Sequence, residues 1–198
     1  MTDNKFYFPK LNNEDDYDKL KIDFVGKYSI TIPKIADIIT DIIYKLFNHS
    51  DITITDCTAG VGGNIFSFAN KFKFVNAIEL DKSRFDMLEN NINVYNLKNV
   101  SCYNINCLDI IFTLQQDVVF IDPPWGGKEY KAEYNIKLYL GNISIEQVTN
   151  MLLNNKVCKY VVLKLPLNYD INNIKNIINE DKKIIIHKLN KMLIIIIF

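Results

Sequence analysis

An acid, two prolines, an aromatic residue and two glycines follow one another at Asp122-Pro123-Pro124-Trp125-Gly126-Gly127, directly after the apolar run 118–121. A strand ending there sets a carboxylate at its tip. Proline, with fixed φ and no N–H, leaves carbonyl acceptors unused beside it. Trp125 adds a π-face with a negative quadrupole, and the glycines let a ligand approach the backbone closely. This set suits a flat base held by its exocyclic amine. Asp122 and the Pro123 carbonyl would accept the amino hydrogens, turn the lone pair out of conjugation and stabilise positive charge growing on nitrogen, while Trp125 stacks on the ring. Asp122, Pro123 and Trp125 are therefore the candidate catalytic residues; the plain alternative is a proline-rich turn with a packed tryptophan.

Upstream, the β-branched run at 53–55 leads into Asp56-Cys57-Thr58-Ala59-Gly60-Val61-Gly62-Gly63-Asn64, and a helical pattern follows. A glycine turn between a strand and a helix brings backbone N–H groups and positive potential to a nucleotide-like ligand. The spacing Gly60-Val61-Gly62-Gly63 does not match the Gly-x-Gly-x-x-Gly of nicotinamide-dependent oxidoreductases. Asp56 at the strand end would also disfavour a pyrophosphate, whereas a sulfonium cation tolerates it. The next apolar run, 74–78, ends in Glu79, at a spacing suited to the ribose hydroxyls of an adenosine cofactor. In this order, the signals imply an enzyme that transfers methyl from S-adenosylmethionine to an exocyclic amine.

Along most of its length the chain resembles the trimethylguanosine synthase family. The resemblance rests on Lys21-Ile22-Asp23, Tyr28-Ser29-Ile30-Thr31, Lys34-Ile35-Ala36, the segment 56–64, Asn90-Asn91, Val94-Tyr95, the segment 120–130, Leu165-Pro166, Asn168 and Asp170. It implies a Rossmann-like α/β methyltransferase fold with a seven-strand, mainly parallel sheet carrying one antiparallel strand. The implied activity is methylation of the guanine N2 of a 7-methylguanosine RNA cap. The implied cofactor contacts are Thr31, Asp56, Gly60 and Glu79, with Cys107 and Leu108 at the position facing adenine, where relatives carry an acid. The implied cap contacts are Lys5 near the phosphates, Asn91 near the base, and Trp125. Leu167 replaces an arginine that similar enzymes place after Leu-Pro, which leaves Lys164 or Lys128 as a substitute cation.

Composition narrows the alternatives. Formal net charge is +0, so the broad basic surface that tracks a duplex is missing. Recognition of one capped RNA end fits this balance better. An adenine-N6 or cytosine-N4 methyltransferase would use the same Asp-Pro-Pro-Trp, but would need a basic groove and a recognition domain. A non-catalytic cap-binding module would be expected to lose the glycine turn or Asp122, and neither is lost. Cys57, Cys102, Cys107 and Cys158 form no Cys-x-x-Cys pair and have no neighbouring histidines, so neither a structural metal nor secreted disulfides are expected. No apolar run is long enough to span a bilayer. A monomer inside the cell is expected.

The elements that must position these residues follow from periodicity. Residues 1–32 read as an arm over the active site and 33–198 as the catalytic domain. Helical spacing predicts helices over 33–47, from 64, over 82–95, 145–153 and 171–178. Apolar and β-branched runs predict strands over 52–55, 74–78, 100–104, 118–121, 159–164, 183–187 and 193–198. The link 189–191 is too short for a parallel crossover, so the last two strands should pair antiparallel. Residues 131–142 are expected to form a loop.

Overall fold

A computed structural model describes residues 4–127 and 129–198. They fall into two compact units, Met1–Ile110 and Ile111–Phe198. The first unit runs α1 (Phe24–Ser29), α2 (Pro33–Phe47), β1 (Thr53–Asp56), α3 (Ile65–Lys71), β2 (Phe74–Ile78), α4 (Lys82–Val94), β3 (Val100–Tyr103) and α5 (Cys107–Ile110). Pro33 opens α2, where its missing N–H has no intrahelical partner to lose, and Asn48 closes it in the left-handed conformation at φ 58°. Ala36, Ile39 and Ile43 turn one face of α2 into the core. Strand β2 pairs in parallel with both β1 and β3. Their carboxyl ends therefore share one edge, where α/β proteins bind ligands.

The arm is part of this unit's core. Two short 3-10 helices, Asn4–Phe6 and Glu14–Lys19, precede α1. Asn4 Nδ2 donates to the carbonyls of Tyr17 and Leu20, at 3.0 and 3.2 Å. Phe8 is buried edge-on against Phe66 of α3, with ring centroids 5.9 Å apart. The Pro9 carbonyl accepts from the hydroxyls of Tyr17 and Tyr95. Burying a phenylalanine in such a cluster contributes about 3–5 kcal/mol by the cost of truncating it. The polar look of the arm hides these few anchors.

The second unit comprises β4 (Val118–Ile121), the hairpin strands β5 (Tyr139–Leu140) and β6 (Ile143–Ser144), α6 (Ile145–Asn154), β7 (Tyr160–Pro166), α7 (Asn172–Lys175), β8 (Ile184–Leu189) and β9 (Met192–Ile197). Ser144 and Gln147 form a capping box that starts α6. Strand β4 runs parallel to β7, whereas β9 is antiparallel to both β7 and β8. The seven-stranded sheet has the order β3-β2-β1-β4-β7-β9-β8, with β9 its one reversed strand. This is the fold expected from the sequence. The segment 131–142, expected as loop, contributes β5 to the small hairpin, and the helix expected over 171–178 is reduced to Asn172–Lys175.

Candidate active site

In the first unit, the glycine turn after β1 is held from two sides. The Asp56 carboxylate, fully buried, accepts the Thr58 N–H at 2.9 Å and so folds the chain back on itself. Glu79, past the end of β2, accepts the Gly60 N–H through Oε2 at 2.9 Å and the Asp81 N–H through Oε1 at 2.8 Å. Asp81 in turn caps α4 by accepting from the Arg84 N–H. Gly60 adopts φ 56° with open space where a Cβ would project. At Gly63 the reverse holds: a Cβ there would lie 2.8 Å from the Thr31 nitrogen and 2.9 Å from its carbonyl oxygen. Only glycine lets the segment carrying Thr31 close on the turn.

These residues fit the adenosine cofactor that the resemblance implies. Thr31, 5% exposed, has a buried hydroxyl with no hydrogen-bond partner among the described residues, which is costly to folding unless a ligand answers it. Glu79 uses two of a carboxylate's four lone-pair positions, leaving acceptors for vicinal hydroxyls. Past the ends of β2 and β3, Leu80 and Ile105 are exposed apolar side chains, Leu80 to 68%. They offer flat apolar surface for a base, and sequence pattern does not distinguish them from core residues. Cys107 is buried at the start of α5, its thiol lowered by a hydrogen bond with Cys57 against the opposing effect of burial. Leu108 is half-buried, its N–H taken by Asn106 Oδ1 at 3.1 Å.

Of the residues expected at the cap, Asn91 is engaged within the fold. Asn91 is fully buried in α4; Oδ1 accepts from Lys21 N–H and Asn90 Nδ2, and Nδ2 donates to the carbonyls of Lys21 and Val61. All four bonding positions of the amide are in use. Its geometry is that of a strut fixing Lys21 and the glycine turn to α4, with no capacity left for a base. Lys5 is exposed on the outer side of the arm, 3.0 Å from Glu14 and 5.7 Å from the Tyr17 ring centroid.

In the second unit, the turn after β4 carries the candidate catalytic residues. Pro123 is buried and Pro124 exposed. Gly126 and Gly127 have φ of 88° and 75° with open space around them, as a turn open to a ligand requires. Strands β4 and β7 are in register at Ile121 and Leu163, so the next residues, Asp122 and Lys164, come side by side. Lys164 Nζ lies 2.5 Å from Asp122 Oδ2 and 5.2 Å from the centroid of the Trp125 ring, while Tyr130 meets that ring edge-on. Burial pushes the Asp122 carboxyl above the usual carboxylate range, opposed chiefly by the Lys164 ammonium.

Lys164 corrects an expectation. It was a candidate phosphate cation, yet its side chain is 6% exposed and its charge is met by Asp122, so it does not project a free cation toward a phosphate. Lys128, the other candidate, lies outside the described residues. Leu167 is exposed and lines a surface hollow of about 580 Å³ with Tyr134, Asn168 and Lys175. Asn168 Nδ2 donates to the carbonyls of Tyr130 and Glu133, tying the segment that abuts Trp125. Among the described residues, no group of His, Cys, Asp and Glu is arranged to hold a metal ion, and no helix is long and apolar enough to cross a membrane.

An uncharacterised protein of Acanthamoeba polyphaga mimivirus is 49% identical over 122 residues, covering 60% of this chain and 48% of that protein. Trimethylguanosine synthase of Schizosaccharomyces pombe is 28% identical, over 76% of this chain and 64% of its own length. The chain thus spans about half to just under two thirds of these relatives. Among solved structures, a precorrin-6y C5,15-methyltransferase from Geobacter metallireducens GS-15 superposes with a TM-score of 0.60 at 16% identity, covering 92% of this chain and 94% of that one; the likeness is one of Rossmann-like methyltransferase fold. The family described as RNA cap guanine-N2 methyltransferase matches residues 52–195. That span holds the glycine turn, Glu79, Asp122, Trp125 and Lys164, and the chain belongs to this family, whose methyl donor is S-adenosylmethionine.

Proposed function

We propose that the protein methylates the exocyclic N2 of a 7-methylguanosine RNA cap. The observation that carries this reading is the pairing, on one turn, of a partly buried carboxylate and an aromatic plate: Asp122 and Trp125. When bound, S-adenosylmethionine supplies an electrophilic methyl group. The chain's own contribution is positioning, since in-line displacement requires the amine lone pair to be aimed and held close. Asp122 and the Pro123 carbonyl accept the amino hydrogens and stabilise the charge that nitrogen gains. Trp125 stacks on the purine. Its neighbour Lys164 is neutralised by Asp122, so the indole retains attraction for a second cation, the N7-methylated ring. That attraction amounts to about 1–2 kcal/mol when desolvated, roughly five- to thirtyfold in affinity. Thr31, Gly60 and Glu79 hold the cofactor, Asp56 shapes its turn, and Leu80 and Ile105 give the adenine an apolar seat.

The test is transfer of labelled methyl to 7-methylguanosine diphosphate, with guanosine diphosphate as control. The methylated nucleotide should accept methyl and the control should not. Trp125 is the single tryptophan of the chain. Its fluorescence should therefore be quenched by the methylated nucleotide and much less by the control. Equal turnover of both nucleotides would remove the cation-recognising role of Trp125 and favour another amine-bearing substrate. Trp125→Phe should keep part of the activity and Trp125→Ala very little.

A further inference from the structure

Lys164 is a charged residue in an otherwise apolar strand. Val161, Val162, Leu163 and Leu165 around it are wholly buried, and it is itself buried at 5% exposure. Placing an ammonium there costs several kcal/mol unless it is paired and hydrogen-bonded. The pairing is supplied by the register of β4 on β7, which sets Asp122 beside it at 2.5 Å. The same ammonium lies 5.2 Å from the centroid of the Trp125 ring, which also packs at a steep angle with Tyr130. Asp122 and Trp125 are two of the residues given chemical roles above, and both are touched by this one side chain.

We propose that Lys164 is a positioning residue: its buried ammonium holds the Asp122 carboxylate ionised and aimed, and fixes the orientation of the Trp125 ring, before substrate arrives. A neutral Asp122 would present one O–H and lose acceptor capacity for the amine. Burial alone drives it toward that neutral form, and the group acting chiefly against this is the Lys164 ammonium from β7. An apolar residue at 164 would fill the strand equally well, so the charge itself needs a reason, and the paired acid and indole supply it. The role in catalysis rests on the proposed function above; the electrostatic coupling does not.

The experiment reads both separately. Intrinsic fluorescence of Trp125, the chain's single tryptophan, is followed against pH in the ligand-free protein for wild type, Lys164→Met, Lys164→Arg and Asp122→Asn. Wild type should show a transition that Asp122→Asn abolishes. Lys164→Met should move that transition upward by about one unit or more, the size of effect an adjacent opposite charge has on a carboxyl, and Lys164→Arg should restore most of it. The acid limb of the single-turnover methylation rate should move with it. If Lys164→Met folds poorly, the double variant Asp122→Asn/Lys164→Met removes both charges; coupling predicts that it is more stable than Lys164→Met alone. A fluorescence transition unmoved within about 0.3 unit in Lys164→Met, or a double variant no more stable than the single one, would overturn the proposal. Failure of wild type to methylate the cap nucleotide, with the fluorescence shift intact, would instead count against the proposed substrate.

Discussion

Asn91 and Lys21, 70 positions apart, exchange two hydrogen bonds of 2.8 Å through the Asn91 amide and the Lys21 backbone. A third bond, to the Val61 carbonyl at 3.0 Å, joins the same side chain to the glycine turn. One buried amide thus holds the arm, α4 and the turn together. Asn91→Ala should leave the Lys21 and Val61 groups unsatisfied and lower stability by about 1–3 kcal/mol. Denaturant unfolding reads that loss, and limited proteolysis should show faster cleavage within residues 4–20. Loss of cap affinity in a variant of unchanged stability would show instead that the amide reaches the ligand.

Glu79 bonds the glycine turn, and its remaining lone pairs are the proposed acceptors for a ribose. Calorimetry with S-adenosylhomocysteine should show Glu79→Ala losing about 1.5–3 kcal/mol of binding, more than tenfold in affinity at the centre of that range. Glu79→Gln should fall between, since it retains one acceptor oxygen. An affinity within about twofold of wild type would end the ribose assignment.

Asp122→Ala should slow single turnover by about 10²–10³-fold while altering cap binding little, because the acceptor matters most as nitrogen becomes positive. The pH dependence has a definite sign. With the carboxyl raised by burial, the ionised, working form is present above that raised value, so the rate should fall as pH drops through it, at a pH above the ordinary carboxylate range. Between the unfolded and the raised folded value the native state holds a proton that the unfolded state has released. Stability should therefore decrease as pH rises through that window. Asp122→Asn should flatten both profiles.

The Lys5–Glu14 pair is exposed on the arm, and such pairs contribute about 0–1 kcal/mol. If Lys5 meets cap phosphate, Glu14 competes with the ligand for it. Glu14→Gln should then tighten binding of 7-methylguanosine diphosphate by up to about fivefold at low salt, less at high salt, and not at all when Lys5 is also alanine. Unchanged affinity in Glu14→Gln would detach Lys5 from the phosphates.

The strands over 74–78 and 118–121 and the helix over 33–47 are readable from the chain because their patterns are local. An uninterrupted apolar run or a face recurring every three to four residues states its own structure. The turn holding Asp122, Pro123 and Trp125 is equally local, since residue type and succession place an acid, a proline and a ring together. The arm is different. Its polar residues carry no period, and its structure rests on Asn4, Phe8 and Pro9 meeting partners far along the chain.

What tertiary structure alone decides is which polar groups are already spent. Asn91 resembles a ligand contact by position, and only the closeness of Lys21 and Val61 makes it a strut. Lys164 reads as a spare cation near the phosphates until the parallel register of β4 and β7 brings Asp122 to 2.5 Å. Residue identity fixes what a side chain can donate or accept. Whether that capacity is free depends on neighbours that only folding assembles, because hydrogen bonds and ion pairs act over a few ångströms of space irrespective of separation along the chain.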